Sequence, residues 1–301
     1  MSVSRILYVA QTAEITTNDG NQFYFPVQSA TCDTTIPVED VLSFGFLGAV
    51  SRVQQNVATC RATVKTFLNN LANYTNYATG YESGTSGIYN NTINAAFLSK
   101  LTGDALAGNL EVINVYPNGF TMSGIVTRIS LDGAVGALAT CEMDFAGVGV
   151  PYYSGIPTTI LGSSPATPTN YITPFSPVTS LSISGTSSST GLGYAANSLR
   201  FTLDIPNDTI TCLGNTISGT QNLVSGGFVM VARAPFKATL SVEGAATDPT
   251  LIPLNQTYQW GTGIGVSLVN PLIVSRGFNQ AVNSAAASFN WVCDDVQAVF
   301  H

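Results

Sequence analysis

In SLRFTLDIP, residues 198–206, Leu199, Phe201, Leu203 and Ile205 alternate strictly with Ser198, Arg200, Thr202 and Asp204. A period of two is the pattern of a β-strand with one buried and one open face, and a helix cannot present it. The same phase runs through SATCDTTIP, residues 29–37, where Ala30, Cys32, Thr34 and Ile36 oppose Ser29, Thr31, Asp33 and Thr35. Aligned without a gap, residues 29–45 and 198–214 share Ser29/Ser198, Ile36/Ile205, Pro37/Pro206 and Gly45/Gly214. Phase is the stronger half of this match, because a one-residue slip would turn every core side chain to solvent.

Two further pairs follow in the same order. RATVKTF (61–67) and KATLSVE (237–243) each begin with a base, Ala, Thr and a branched aliphatic residue, again in phase. AVGALATCEMDF (134–145) puts Cys141, Met143 and Phe145 on one face; AVNSAAASFNWVC (281–293) does the same with Phe289, Trp291 and Cys293. Three ordered pairs point to an internal duplication. Residues 151–177 carry six of the 14 prolines, and proline at that density removes ladder donors and blocks helix. The expected organisation is a first β domain over 1–150, a Pro/Thr/Ser-rich linker over 151–177, and a second β domain over 178–301. Only the first half carries an insert, at 69–110, with a polar Asn/Tyr/Gly loop. The end of the insert, from about Asn94 to Leu106, places Ala96, Phe97, Leu101 and Leu106 at helical spacing, with Lys100 and Asp104 as an i,i+4 pair. The expected fold class is therefore mainly β. It consists of two tandem sandwich- or barrel-like domains related by duplication, with a short helix at least in the first.

The composition limits the chemistry available. Hydrophobic residues make up 45% of the chain and charged residues 9%, against roughly 25% charged in typical soluble domains. A surface so poor in charge repels itself weakly, which suits a secreted β-protein or a subunit that hides its surface in an assembly. The net charge is −7, and the ten bases are scattered singly, so no basic cluster exists to grip phosphates. The one histidine is His301, which removes Ser–His and Cys–His catalysis. Glu39 and Asp40, like Asp294 and Asp295, are adjacent, and neighbours in a strand point to opposite faces, so neither pair forms an acid–base couple. The five cysteines are widely spaced without CxxC, which fits small apolar residues of a reduced core better than a zinc site or a disulfide scaffold. GTGIGV (261–266) is spaced GxGxG rather than GxGxxG and reads as a glycine-rich strand or hairpin. No enzyme, metal or cofactor is expected. No stretch approaches the about 20 apolar residues of a membrane span, and the opening MSVSRILYVAQTAEITTNDG lacks the apolar run of a secretory signal.

The layout of each half is a strand with Ile-Pro and an acidic turn ending at Gly, then an arm, then a RATVKTF-type strand. In the first half an insert with a helix follows, and the closing hairpin GIVTRISLDGAVGALATCEMDFAGVG (124–149) ends Phe-x-Gly-x-Gly. This layout resembles the tail tube proteins of tailed bacteriophages. The resemblance implies that each domain is a small β-sandwich or barrel flanked by a helix, with a long hairpin arm that reaches neighbouring subunits. It implies a ring of six domains, hence three copies of a duplicated chain with pseudo-sixfold symmetry, and rings stacked into a tube that conducts DNA. The implied partners are further copies of the chain and other tail proteins, with DNA passing unbound. The implied location is the virion tail, after synthesis in the host cytoplasm. Asp33, Glu39, Asp40, Asp204 and Asp208 are then lumen or turn acids that keep the conduit neutral to acidic. The double length, the linker and the 69–110 insert depart from the family pattern. The residues leave open another tail or neck component, or a secreted or surface adhesin or carbohydrate-binding module whose Tyr74, Tyr77 and Tyr81 stack on sugars.

Overall fold

The structure, a computed structural model, describes residues 11–42, 49–54, 57–68, 93, 95–116, 119–134, 137–153, 182–184, 195–211, 228–233, 235–245, 257–260, 264–268, 272–281, 284–294 and 298–300. In chain order these form β1 (Gln11–Thr16), β2 (Gln22–Val27), β3 (Ser29–Thr35), β4 (Val38–Leu42), β5 (Ala49–Gln54), β6 (Thr59–Phe67), helix α1 (Ala95–Ala107), β7 (Glu111–Tyr116), β8 (Thr121–Ala134) and β9 (Thr140–Val148). After them come β10 (Ser182–Ser184), β11 (Ala195–Asp204), β12 (Asn207–Thr211), β13 (Phe228–Ala232), β14 (Lys237–Ala245), β15 (Thr257–Trp260), β16 (Ile264–Leu268), β17 (Leu272–Ala281), β18 (Ser284–Asp294) and β19 (Ala298–Phe300). The protein is mainly β with one short helix among the described residues, as the alternation predicts.

Proline explains where the first matched strands stop. Pro37 and Pro206 carry no N–H, so a ladder cannot continue through them. β3 pairs with β6 only as far as Thr35↔Thr59, and β11 pairs with β14 only as far as Asp204↔Lys237. Beyond each proline the chain re-pairs as a separate two-stranded ribbon, β4 with β5 and β12 with β13.

Both halves string their strands together in the same succession. In the first, β3 pairs β6, β6 pairs β9 and β9 pairs β8. In the second, β11 pairs β14, β14 pairs β18 and β18 pairs β17. Even the irregularity recurs: a bulge between Val126 and Arg128 of β8 has a counterpart between Ile273 and Ser275 of β17. With the two Ile-Pro dipeptides held equivalent, Lys237 takes the place of Thr59, not of Arg61. The match of RATVKTF to KATLSVE is thus displaced by two residues from the ladder, a displacement that leaves the inward face unchanged.

The halves are not held apart. β8 pairs with β11 from Ser198↔Ala134 to Asp204↔Arg128, so both successions lie in one 11-stranded antiparallel sheet. β8 is long enough to serve two neighbours on that side: Thr121–Gly124 pair with β7 and Arg128–Ala134 pair with β11. β7 carries the sheet on to β1 and β2. The residues around 151 run back along β8, with Tyr152 bridged to Thr121; residues 154–177 of the expected linker lie outside the described residues.

One face of this sheet is packed. Val64 of β6, Cys141 and Met143 of β9, Leu199 and Phe201 of β11, and Ala238 and Val242 of β14 are all fully buried, each large side chain contributing roughly 1.5–3 kcal/mol. The second layer contributes Phe97, Leu98 and Leu101 of α1 and Trp260, Ile264 and Val266 of the β15–β16 hairpin. The Phe97 ring lies 4.4 Å from Phe23, and Phe300 of β19 meets Phe201 edge-on at 5.8 Å. The Lys100–Asp104 pair forms as expected, Nζ to Oδ1 3.0 Å. The inward face of the helix differs from the expected one: Ala96 and Leu106 are exposed, while Leu98, Thr102 and Ala105 are buried. The helix ends at Gly108, whose φ of 71° permits a Schellman cap. Gly108 N–H donates to the Ala105 carbonyl at 3.2 Å and Asn109 N–H to the Asp104 carbonyl at 2.8 Å.

The Phe-x-Gly-x-Gly ending also has a steric cause. Gly147 faces Gly124 across the β8–β9 ladder. A Cβ on Gly147 would sit 2.2 Å from the Ser123 carbonyl oxygen, so no other residue fits that approach.

Candidate functional site

The face opposite the core is polar along β3, β6, β8, β9, β11 and β14. Because neighbours in a strand alternate, burying Cys60, Ala62 and Val64 leaves Arg61, Thr63 and Lys65 of β6 outward. The same logic places Asp33 of β3, Glu142 and Asp144 of β9, Arg128 and Asp132 of β8, Arg200 and Asp204 of β11, and Lys237 and Glu243 of β14 on this face. On β3, β6, β8, β9, β11 and β14, Asp33, Asp132, Glu142, Asp144, Asp204 and Glu243 there meet Arg61, Lys65, Arg128, Arg200 and Lys237, an excess of one carboxylate on these six strands. The chain as a whole carries −7, of which these six strands contribute −1 to this face.

The charges are interleaved. Thr63 Oγ1 donates to Asp144 Oδ1 at 2.6 Å, and Lys65 Nζ lies 3.9 Å from Glu142 Oε2. The densest pairing is at the β8–β11 seam, where the two strands carry the same five-residue pattern, Arg128-Ile-Ser-Leu-Asp132 and Arg200-Phe-Thr-Leu-Asp204. Run antiparallel, the pattern is complementary to itself. Arg200 is ion-paired with Asp132, Ser130 and Thr202 hydroxyls lie 3.4 Å apart, and Arg128 Nε is 3.7 Å from Asp204 Oδ1. Each solvated pair is worth only about 0–1 kcal/mol, so the pattern aligns the seam more than it strengthens it.

The five acids expected as lumen or turn residues separate into two groups. Asp33 and Asp204 lie on the polar face, Asp33 opposite Arg61 and Asp204 between Arg128 and Lys237. Glu39, Asp40 and Asp208 are not in turns: they sit within strands of the two ribbons, because the chain re-pairs immediately beyond each proline. Asp40 Oδ1 accepts from Arg52 Nε at 2.7 Å, and Asp208 Oδ2 is 3.2 Å from Arg233 Nε. The β4–β5 ribbon exposes Val38, Val41, Leu42 and Val53. The alternation of Arg128, Ser130 and Asp132 was the available signal for the seam, a period-two pattern repeated in Arg200, Thr202 and Asp204.

A second group of acids lies inside. Glu111, at the start of β7, is 1% exposed, and neither carboxyl oxygen finds a partner; Asp104 Oδ2 is also buried and unpartnered. Burial, and after it the adjacent Asp104 carboxylate, pushes Glu111 up to about 9. Protonated, Glu111 has one O–H to offer the neighbouring Asp104 carboxylate. Asp104 Oδ1 is already held by Lys100 Nζ and, at 3.1 Å, by Asn109 Nδ2. Lys100 also reaches Asp19 Oδ2 at 3.4 Å, so the cluster joins α1, β7 and the β1–β2 turn. With a lysine at its centre it is a structural network rather than a cation site.

Cys32, Cys60 and Cys141 are free. Burial raises the thiols of Cys32, to about 11, and of Cys60 and Cys141, so they are unreactive at neutral pH. Among the described residues no group of three or more His, Cys, Asp or Glu is placed to hold a metal ion, and no helix is long and apolar enough to cross a membrane. Tyr74, Tyr77 and Tyr81 lie outside the described residues. No protein-family model matches this chain, and no curated protein is detectably similar to it.

Proposed function

We propose that this chain is the tail tube subunit of a tailed-bacteriophage virion, a structural protein and not an enzyme. In this reading the two halves are products of a duplication, three copies supply six strand units to a ring, and rings stack into a tube through which DNA passes. The observation that carries it is the double succession of strands joined in one sheet, with one face packed and the other, along β3, β6, β8, β9, β11 and β14, polar with acids and bases interleaved. Duplex DNA presents one negative charge per roughly 1.7 Å of axis. A lining of Lys and Arg would hold it, whereas interleaved pairs such as Arg200–Asp132 and Thr63–Asp144 present no net basic surface. The two ribbons, with their exposed aliphatic side chains, are the arms that reach neighbouring copies. The other partners of the assembly are tail proteins at its two ends.

Negative-stain electron microscopy of the purified chain tests this. Rings or hollow tubes of uniform diameter are expected, and assembled tubes should leave duplex DNA unretarded in a gel. A species that stays monomeric by light scattering at every concentration would sink the proposal.

A further inference from the structure

Ile205 is 1% exposed and Ile36 is 47% exposed, although they hold the same position in the two matched stretches. The cause is a neighbour. β11 has β14 on one side and β8 on the other, and Ile205 N–H continues the seam by donating to the Thr127 carbonyl at 2.7 Å. β3 has β6 on one side and, among the described residues, nothing on the other. At the far end of the sheet β17, the strand that corresponds to β8, pairs only with β18 among the described residues and leaves Val274 60% exposed. An open sheet edge invites a further strand. The chain thus carries one filled β8–β11 seam and the two separate halves of a second.

We propose that β3 of one copy pairs antiparallel with β17 of the next, repeating the β8–β11 register. This deepens the assembly reading above and rests on it for the partner, a second copy of the chain. The shared bulge fixes the alignment: Arg128 of β8 corresponds to Ser275 of β17, and Asp204 of β11 to Thr35 of β3. Transferring the seam residue by residue sets Thr35 opposite Ser275, Asp33 opposite Gly277 and Thr31 opposite Asn279, and brings Ile36 to Val274. The internal seam places Arg opposite Asp at two positions. The edges that remain open among the described residues carry no base at the positions matching Arg128 and Arg200, the one base of β17, Arg276, matching Ile129 instead, so a β3 edge laid on β8 would leave Arg128 and Asp132 without their partners. The charge pattern therefore directs β8 to β11 within the chain and leaves β3 for β17 of another copy. Because β3 and β17 are different strands at opposite ends of the sheet, the contact is head-to-tail and builds a closed ring or an open filament.

The Ile205–Thr127 hydrogen bond marks that position as a hydrogen-bonded pair, so the polar-face pairs alternate with it as non-hydrogen-bonded pairs. Cα atoms of such pairs lie about 4.5 Å apart, within reach of a disulfide. The test is a Thr31→Cys/Asn279→Cys chain, oxidised and run on a non-reducing gel, with each single variant as control. A ladder of covalent oligomers is expected from the double variant, lost on reduction and absent from the single variants. Ile36→Asp, checked by circular dichroism for its fold, is expected to shift assembly to at least tenfold higher protein concentration. Uniform tubes on the grid without cross-linking would overturn the seam and leave the tube standing. Cross-linked chains that never form rings or tubes would keep the seam and overturn the tube. A monomer at every concentration, with no cross-link, would overturn both.

Discussion

The strands that lead into the two Ile-Pro dipeptides alternate in the same phase, yet β11 is core and β3 is rim. The inward residues of β11 are Leu199, Phe201 and Leu203, all buried; those of β3 are Ala30, Cys32 and Thr34, all half-buried. The difference shows that phase decides which side chains point inward, while the neighbouring strand decides how much water is removed. The side chains follow suit, since the strand flanked on both sides carries the larger apolar residues.

The sharpest way to break this comparison is truncation at the matched central position. Phe201→Ala should cost about 3–5 kcal/mol and Cys32→Ala about 1 kcal/mol or less, read from guanidinium midpoints under conditions where the chain is unassembled. Equal costs would mean that β3 is packed as deeply as β11. The dipeptides give the next test. Ile205→Ala should cost about 2–5 kcal/mol, whereas Ile36→Ala should change the stability of the unassembled chain by no more than about 0.5 kcal/mol. A large loss at Ile36 without assembly would show that something within the chain covers it.

A parallel contrast separates the acids. Those of the polar face lie among cationic and hydroxyl side chains such as Arg200, Lys65 and Thr63, whereas Glu111 is buried near α1. Its pKa rises from 4.5 to about 9, so between these values the folded chain holds a proton that the unfolded chain releases. Stability therefore falls as pH rises across that window. Glu111→Gln keeps a donor for Asp104 and removes the penalty: its Tm should exceed that of the parent by more at pH 8.5 than at pH 5, at about 2–4 °C per kcal/mol. A constant difference across pH would assign the proton elsewhere. The smallest effect is expected at the seam. A double-mutant cycle on Arg200→Ala and Asp132→Ala should give about 0.2–1 kcal/mol of coupling, weakened by salt; a larger, salt-insensitive value would mean that the pair is buried in an assembled form.

Much of this was legible. Strict alternation marked β3, β6, β9, β11 and β14 and their inward faces, because period two is a local consequence of backbone geometry. Lys100 and Asp104 marked the helix. The helix turns Ala96 and Leu106 to solvent against expectation, since helical spacing fixes a stripe but not which stripe meets the sheet. Ile-Pro stops one ladder, which gives Glu39, Asp40 and Asp208 the look of turn acids in the sequence; that a second ladder begins just past each proline depends on pairing with β5 and β13, which the alternation of β4 and β12 does not reveal. Glu111 gave no local sign of its burial, which comes from α1 and the β1–β2 turn closing over it.

The amino-acid sequence by itself determined the strand class, the phase of each strand, the stops at Pro37 and Pro206, and the poverty of charge that makes a free surface unfavourable. Only the tertiary structure decided that β8 and β11 join the two halves into one sheet, that acids and bases interleave across that seam, and that β3 and β17 have an open edge among the described residues. The physical reason is that alternation is set within a strand, by bonds between successive residues. The choice of neighbour is set between strands, by which edges complement each other in charge and register once the chain has folded.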